Sequence, residues 1–250
     1  MFLTHAHVDH SGNLPLLYAK GFRGNVFTTE ASADLCSIML RDCAHIQMQE
    51  AEWKNRKAKR HSGLKAAEPA YKMEDADGII KRIIPCAYNQ KIQICDGIEI
   101  KFTDVGHLLG SASIEVWLTE ADITKKIVFS GDIGNKNQPL IKDPIYTKEA
   151  DYVVMESTYG DRYHTKGDPR YVENLAEIIS DTFAKGGNVV IPSFAVGRTQ
   201  ELVYELNKFY EEHDEYKAVL DKVMVYVDSP MATTATEVFR KNAQVFDDET

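Results

Sequence analysis

Residues 5–10, HAHVDH, set three histidines and an aspartate directly behind an apolar pair, Phe2-Leu3, and no other stretch constrains the fold as strongly. Neutral imidazoles and carboxylates are the usual nitrogen and oxygen ligands of zinc and related ions. Phe2-Leu3 reads as the end of a buried strand, and Ser11-Gly12-Asn13 as a loop. In extended or turning backbone His5, His7 and Asp9 face one side, while His10, directly after Asp9, points elsewhere. That pattern favours two adjacent metals over one. A surface loop with incidental histidines is the competing reading, and the density of donors behind a strand argues against it.

Three more polar residues stand where apolar strands end. His107 lies in DVGHLLGSAS, Asp132 in IVFSGDIG and Glu156 in YVVMESTYGD. Gly131 and Gly134 flank Asp132 and let the backbone turn close to a ligand. Alone, each of these is an ordinary hydrogen-bonding or capping residue; with the opening motif they complete a site.

A length of 250 residues allows one large or two ordinary domains, and 44% hydrophobic with 27% charged residues is a soluble composition. No run reaches the roughly 20 apolar residues of a membrane span, and the start lacks a signal-peptide pattern, so the expected location is cytoplasmic. A net charge of −9 excludes a generally basic nucleic-acid surface. The local exception is WKNRKAKRHSGLK, residues 53–65, with Lys54, Arg56, Lys57, Lys59 and Arg60; it reads either as a phosphate-tracking segment or as a solvated helix face. Cys36, Cys43, Cys86 and Cys95 form no C-x-x-C pair and read as buried free thiols.

Along the chain, residues 14–21 read as a helix, 25–29 as a strand, 31–60 as a long helix, and 73–84 as a helix ending before Pro85. Residues 90–104 form a hairpin turning at Asp96-Gly97, followed by strands in 111–121, 125–130 and 151–155. Helices are expected over 170–185, 195–212 and 231–239, with strands over 188–194 and 223–227. Hairpins give way to alternating strands and helices near residue 160. The expected division is 1–160 and 161–250.

The motifs THAHVDHSG, GHLLGSAS and FSGDIG resemble the successive ligand motifs of the metallo-β-lactamase superfamily. MESTYGDR, IPSFAVGRTQELVYEL and VDSPMATTATEVF are similar to its β-CASP branch, the nucleic-acid-processing nucleases. The resemblance covers nearly the whole chain. It implies an α/β fold: a metallo-β-lactamase αββα sandwich, incomplete at the N-terminus, in residues 1–160, and the first part of an α/β β-CASP domain in 161–250. It further implies two zinc ions, one held by His5, His7 and His107, the second by Asp9 and His10, with Asp132 bridging and a shared hydroxide as nucleophile.

Asp9 would also orient that hydroxide, and Glu156 matches a motif whose acid positions a histidine that protonates the leaving oxygen. Ser193, Arg198 and Ser229, in loops ahead of helices, are candidate substrate contacts. The implied activity is a ribonuclease, with RNA as partner and single-stranded DNA as the other polynucleotide; the oligomeric state is open, a homodimer being one option. A thioester or lactam hydrolase and a silent RNA-binding scaffold are the alternatives. Family members carry strands before the first motif and histidines after the last, so truncation at both ends is expected, with an incomplete second metal site and weak activity. His164 and His213 match no motif.

Overall fold

Alternating apolar residues in 92–104 and 112–129 build the central ladder of the protein, seen in a computed structural model that describes residues 1–58, 66–163 and 167–247. Lys59, Arg60 and His164 lie outside the described residues. The chain divides into two units, Met1–Lys136 with Ile141–Glu156, and Asn137–Leu140 with Ser157–Thr250.

The first unit opens with a single helical turn, α1 (Val8–Ser11), then α2 (Leu14–Ala19), β1 (Val26–Thr29), α3 (Glu30–Ala58), α4 (Met73–Ile80) and β2 (Ile83–Cys86). It continues through β3 (Ile92–Cys95), β4 (Ile98–Asp104), β5 (Ala112–Glu120), β6 (Ile123–Phe129) and β7 (Tyr152–Val154). Strands β3-β4-β5-β6-β7 form one sheet in that order, antiparallel except for the parallel β6–β7 pair. Gly97, at φ 76°, takes the left-handed position of the turn between β3 and β4. Strands β1 and β2 pair in parallel as a second, smaller sheet.

The core lies between these sheets. Ile100 and Phe102 of β4, Ala112, Ile114 and Val116 of β5, and Cys86 of β2 are buried there, with Phe2, Phe27 and Tyr88 packed against them. Helix α3 turns Leu35, Cys36, Met39 and Leu40 inward and lies along β1, β2 and α4. The opposite face of β4–β6 carries Glu115, only 2% exposed, which accepts from Lys101 Nζ at 2.6 Å, Thr103 Oγ1 at 2.8 Å and Lys126 Nζ. The architecture is α/β.

The second unit contains α5 (Tyr171–Ala184), α6 (Arg198–Glu212), α7 (Asp214–Leu220) and α8 (Pro230–Lys241). Val172, Ala176 and Phe209 form its apolar centre. Buried Gln200 ties α6 to α8: its side-chain amide donates to Ala232 O at 3.3 Å and Thr236 Oγ1 at 3.0 Å.

Several sequence expectations need correction. The helix expected up to Pro85 ends at Ile80, and Ile83–Cys86 is strand β2; Pro85 is tolerated because β2 pairs only with β1. The first unit is not built of hairpins alone, since β1–β2 and β6–β7 are parallel. Residues 188–194 and 223–227 are not strands. Both runs are apolar, but neither has a ladder partner among the described residues, and Val190 and Tyr226 stay exposed at 89% and 81%. All four cysteines are free, but Cys95 is exposed and Cys43 only half-buried. Among the described residues no helix is long and apolar enough to cross a membrane.

Candidate metal centre

The opening motif is placed by backbone pairing. Leu3 N–H donates to Phe27 O at 2.9 Å, fixing residues 1–3 beside β1, and Thr4 O accepts from Ala112 N–H at 2.9 Å. Beyond His7 the chain turns helical. The amides of His10 and Ser11 donate to His7 O at 3.0 and 2.8 Å, and Ser11 Oγ donates back to Ala6 O at 2.8 Å. The alternation expected through residue 10 therefore stops at His7, and His10 is carried back toward its neighbours: its ring centroid lies 4.2 Å from that of His5. Ser11 and Gly12 belong to this turn and its end, not to an open loop.

Two further loops converge on the same place. Ser111 Oγ accepts the amides of His107 and Leu108 at 3.0 and 3.1 Å, closing the loop that presents His107. Asp104, just before it, accepts the Gly106 amide at 2.9 Å. The Asp132 loop is locked to the His107 loop by backbone contact: Gly134 N–H donates to Val105 O at 2.8 Å, and a Cβ on Gly134 would stand 1.6 Å from Gly106 O. Gly131, at φ 59°, lets the chain pass Thr4, whose Cβ would meet a side chain there at 2.8 Å. Glu156 accepts the Ile133 amide at 2.7 Å, so its carboxylate holds the backbone immediately after Asp132.

The result is one compact set of donors. His5, His7, His107 and Asp132 each offer a ligand atom, all within 4.8 Å of one another. His5 Nε2 and His107 Nε2 stand 3.1 and 3.2 Å from His7 Nδ1. Asp132 Oδ2 lies 3.6 Å from His5 Nε2 and 3.5 Å from His107 Nε2. Ligands about 2.0–2.1 Å from a zinc ion at tetrahedral angles stand about 3.4 Å from one another, so these four separations are of the size that donors around one zinc ion have. The other oxygen, Asp132 Oδ1, is 3.3 Å from His10 Nε2, which in turn is 3.6 Å from Asp9 Oδ2. Thus the two oxygens of Asp132 face two different donor groups.

Burial keeps the imidazoles neutral. His5, fully buried, is pushed down to about 2, first by desolvation and then by the neighbouring rings of His10, His7 and His107. His7 is lowered by burial and by His107; His107 is lowered by burial, although Asp132 and Glu156 oppose this. Neutral imidazole is the form that binds a metal. Asp104 is raised to about 6 by burial, against the pull of the Gly106 amide and Lys142.

The remaining sequence candidates lie in the second unit. Ser229 caps α8, its Oγ accepting from Ala232 N–H at 3.2 Å. Ser193 Oγ accepts from Thr199 Oγ1 at 3.2 Å, and Arg198, the first residue of α6, pairs with Glu201 at 2.8 Å. Sequence reasoning missed Thr4, whose Oγ1 lies 3.1 Å from His5 Nδ1 and can fix that ring. It also missed Ser111 and Asp104 as loop holders. The available signal was adjacency: a short polar residue beside each ligand motif.

A Beta-Casp domain model matches residues 199–250. The chain is 32% identical over 249 residues to Ribonuclease TTHA0252 of Thermus thermophilus, covering 100% of this chain and 50% of that protein. It is 32% identical over 233 residues to an RNase J-like protein of Methanocaldococcus jannaschii, covering 92% and 47% of the two. It is 31% identical over 231 residues to the transcription termination factor FttA of Methanosarcina mazei, covering 91% and 33%. The chain spans half or less of the length of each of these relatives.

Proposed function

The chain belongs to the β-CASP branch of the metallo-β-lactamase superfamily, and from that premise we propose that it is a zinc-dependent phosphodiesterase acting on RNA. The observation that carries the reading is the convergence of His5, His7, His107 and Asp132, whose ligand atoms all lie within 4.8 Å of one another, with Asp132 turned by its second oxygen toward His10. In this reading residues 1–160 are the metallo-β-lactamase part and 161–250 the β-CASP part. RNA as substrate draws its support from relatives that are named ribonucleases.

His5, His7 and His107 would hold one ion and Asp9 and His10 a second, with Asp132 contributing to both. Zinc so held supplies Lewis acidity, lowering the pKa of water toward neutrality and neutralising charge on the phosphoryl oxygens. The protein's own groups do the rest. Asp9, with its side chain 74% exposed, would orient the attacking hydroxide at phosphorus, where the P–O bond to the leaving oxygen breaks as the new one forms and water supplies the leaving oxygen's proton. Glu156 is a positioning residue: through the Ile133 amide it keeps Asp132 aimed between the two donor groups. Thr4 fixes the His5 ring by its other nitrogen. At the helix starts of the second unit, Arg198, 69% exposed, can exchange its pairing with Glu201 for a phosphate, while Ser193 and Ser229 hold the loops.

The test is zinc binding and RNA cleavage measured on the same protein. Metal-stripped chain should regain zinc and phosphodiester cleavage together, and His5→Ala should lose both the tight zinc event and the regained cleavage. Cleavage in EDTA, or an unaltered zinc isotherm in His5→Ala, would refute the assignment.

A further inference from the structure

The end of α3 departs most strongly from the chain's acidic average. Residues 53–65 hold six lysines and arginines and no carboxylate, in a protein of net charge −9. Trp53, Arg56 and Lys57 stand at i, i+3 and i+4 on α3 and so share one helix face. All three are exposed, the indole at 50%. Lys57 Nζ lies 3.7 Å from the indole centroid. Lys54, one position on, is paired to Glu50 at 3.6 Å, whereas Arg56 and Lys57 have no carboxylate partner among the described residues.

Cations in a last turn suit the helix dipole, which accounts for a charge here but not for a large indole left in water. The helix end is also held in place. Asn55 Nδ2 donates to Ala67 O at 2.8 Å, and Ala67 N–H donates to Asn55 Oδ1 at 2.7 Å, clamping the returning chain to α3. An exposed indole beside cations that lack a carboxylate partner, on a fixed helix, is the combination that single-stranded nucleic acid recognises.

We infer that Trp53, Arg56 and Lys57 form a docking face for single-stranded RNA, separate from the metal centre. One base takes the place of the Lys57 ammonium on the indole, and Lys57, so released, contacts a neighbouring phosphate together with Arg56. The inference rests on the RNA reading for the identity of the polymer.

Binding of a labelled oligoribonucleotide to the full chain, followed in EDTA across a salt series, tests it. Each phosphate contact on a single strand contributes about 0.7 to the slope of log affinity against log salt, so Arg56→Gln/Lys57→Gln should lower that slope by about 1.4. Lys20→Gln/Lys81→Gln removes the same charge from exposed positions elsewhere and should leave the slope unchanged. With Trp117→Phe, Trp53 is the remaining tryptophan, and its fluorescence should be quenched by RNA. An unchanged slope in the Arg56/Lys57 variant, an equal drop in the control, or no RNA binding by the parent overturns the inference. Because EDTA removes cleavage from the measurement, failure here leaves the phosphodiesterase reading standing, and failure of cleavage leaves this result standing.

Discussion

Gly134→Ala perturbs the metal centre without touching a ligand. The new Cβ would stand 1.6 Å from Gly106 O and 2.7 Å from His107 N, where real Cβ contacts do not fall below about 3.0 Å. The Asp132 and His107 loops must then separate by about 1.4 Å, the difference between those two distances. That movement breaks the 2.8 Å Gly134–Val105 hydrogen bond and opens the 3.5 Å gap between His107 Nε2 and Asp132 Oδ2. A lost buried hydrogen bond and local overpacking together cost about 2–4 kcal/mol of stability. Ligand positions tolerate only about 0.2 Å of error, so zinc affinity should fall about 100-fold or more. Competition for zinc with a chromogenic chelator reads the affinity, and urea unfolding in EDTA reads the stability. Gly21→Ala is the control: at φ 103° with nothing within 4 Å of its added Cβ, it should cost about 1 kcal/mol of backbone strain and leave zinc binding alone. If Gly134→Ala bound zinc within twofold of the parent, the account of the loops as mutually positioned by backbone contact would be wrong.

Acid should destabilise the metal-free protein. His5, His7 and His107 have folded values below the ordinary 6.5, so the unfolded chain binds more protons below that pH, and stability is full above it and lost as pH falls. For His5, lowered to about 2, the loss is about 1.4 kcal/mol per pH unit, and His5→Asn should flatten the melting profile in EDTA between pH 7.5 and 5; a flat profile in the parent refutes this. Asp104 has the opposite sign: raised to about 6, its ionisation opposes folding, so stability falls as pH rises from about 4 to 6. Asp104→Asn should therefore stabilise at pH 8 by up to about 3 kcal/mol and show no advantage below pH 4, as read by urea midpoints at the two pH values. Glu115→Gln leaves Lys101 and Lys126 without their shared carboxylate and should cost about 1–3 kcal/mol, moderated because both ammonium groups can reach water; Glu115→Leu with Lys101→Met and Lys126→Met should recover most of it in the same assay.

The donor set was legible because metal chemistry restricts residue type, and each donor sits in a short contiguous motif behind an apolar strand. His5, His7, His107 and Asp132 could be listed from residue identity and strand ends alone, and the structure brings those four together. The path of the chain between them was not legible in the same way. The turn over Val8–Ser11 depends on Ser11 Oγ reaching Ala6 O, a local bond that competes with extended backbone, and no hydrophobic period reports it. Strand β2 was hidden because GIIKRIIPC continues a helical apolar pattern, and only pairing with β1 makes it a strand. Residues 188–194 and 223–227 show the reverse: an apolar run is permission for a strand, and the ladder partner decides.

That asymmetry explains why the centre is held as it is. Side chains that bind a metal are exchangeable in rotamer, so a compact donor set needs the backbones beneath them fixed before any ion arrives. Here the fixing is done by close contacts and main-chain hydrogen bonds: the Thr4 side chain against Gly131, the Gly106 backbone against Gly134, and Thr4 O accepting the Ala112 amide. Each joins a different pair of loops, so moving one ligand loop strains another. The donors are consequently brought within 4.8 Å by folding, against the mutual desolvation that drives His5 down to about 2. Below pH 6.5 the fold bears that cost in the metal-free state; a cation bound there keeps the imidazoles neutral and should stabilise the folded protein by an amount that grows with the logarithm of its concentration over its dissociation constant.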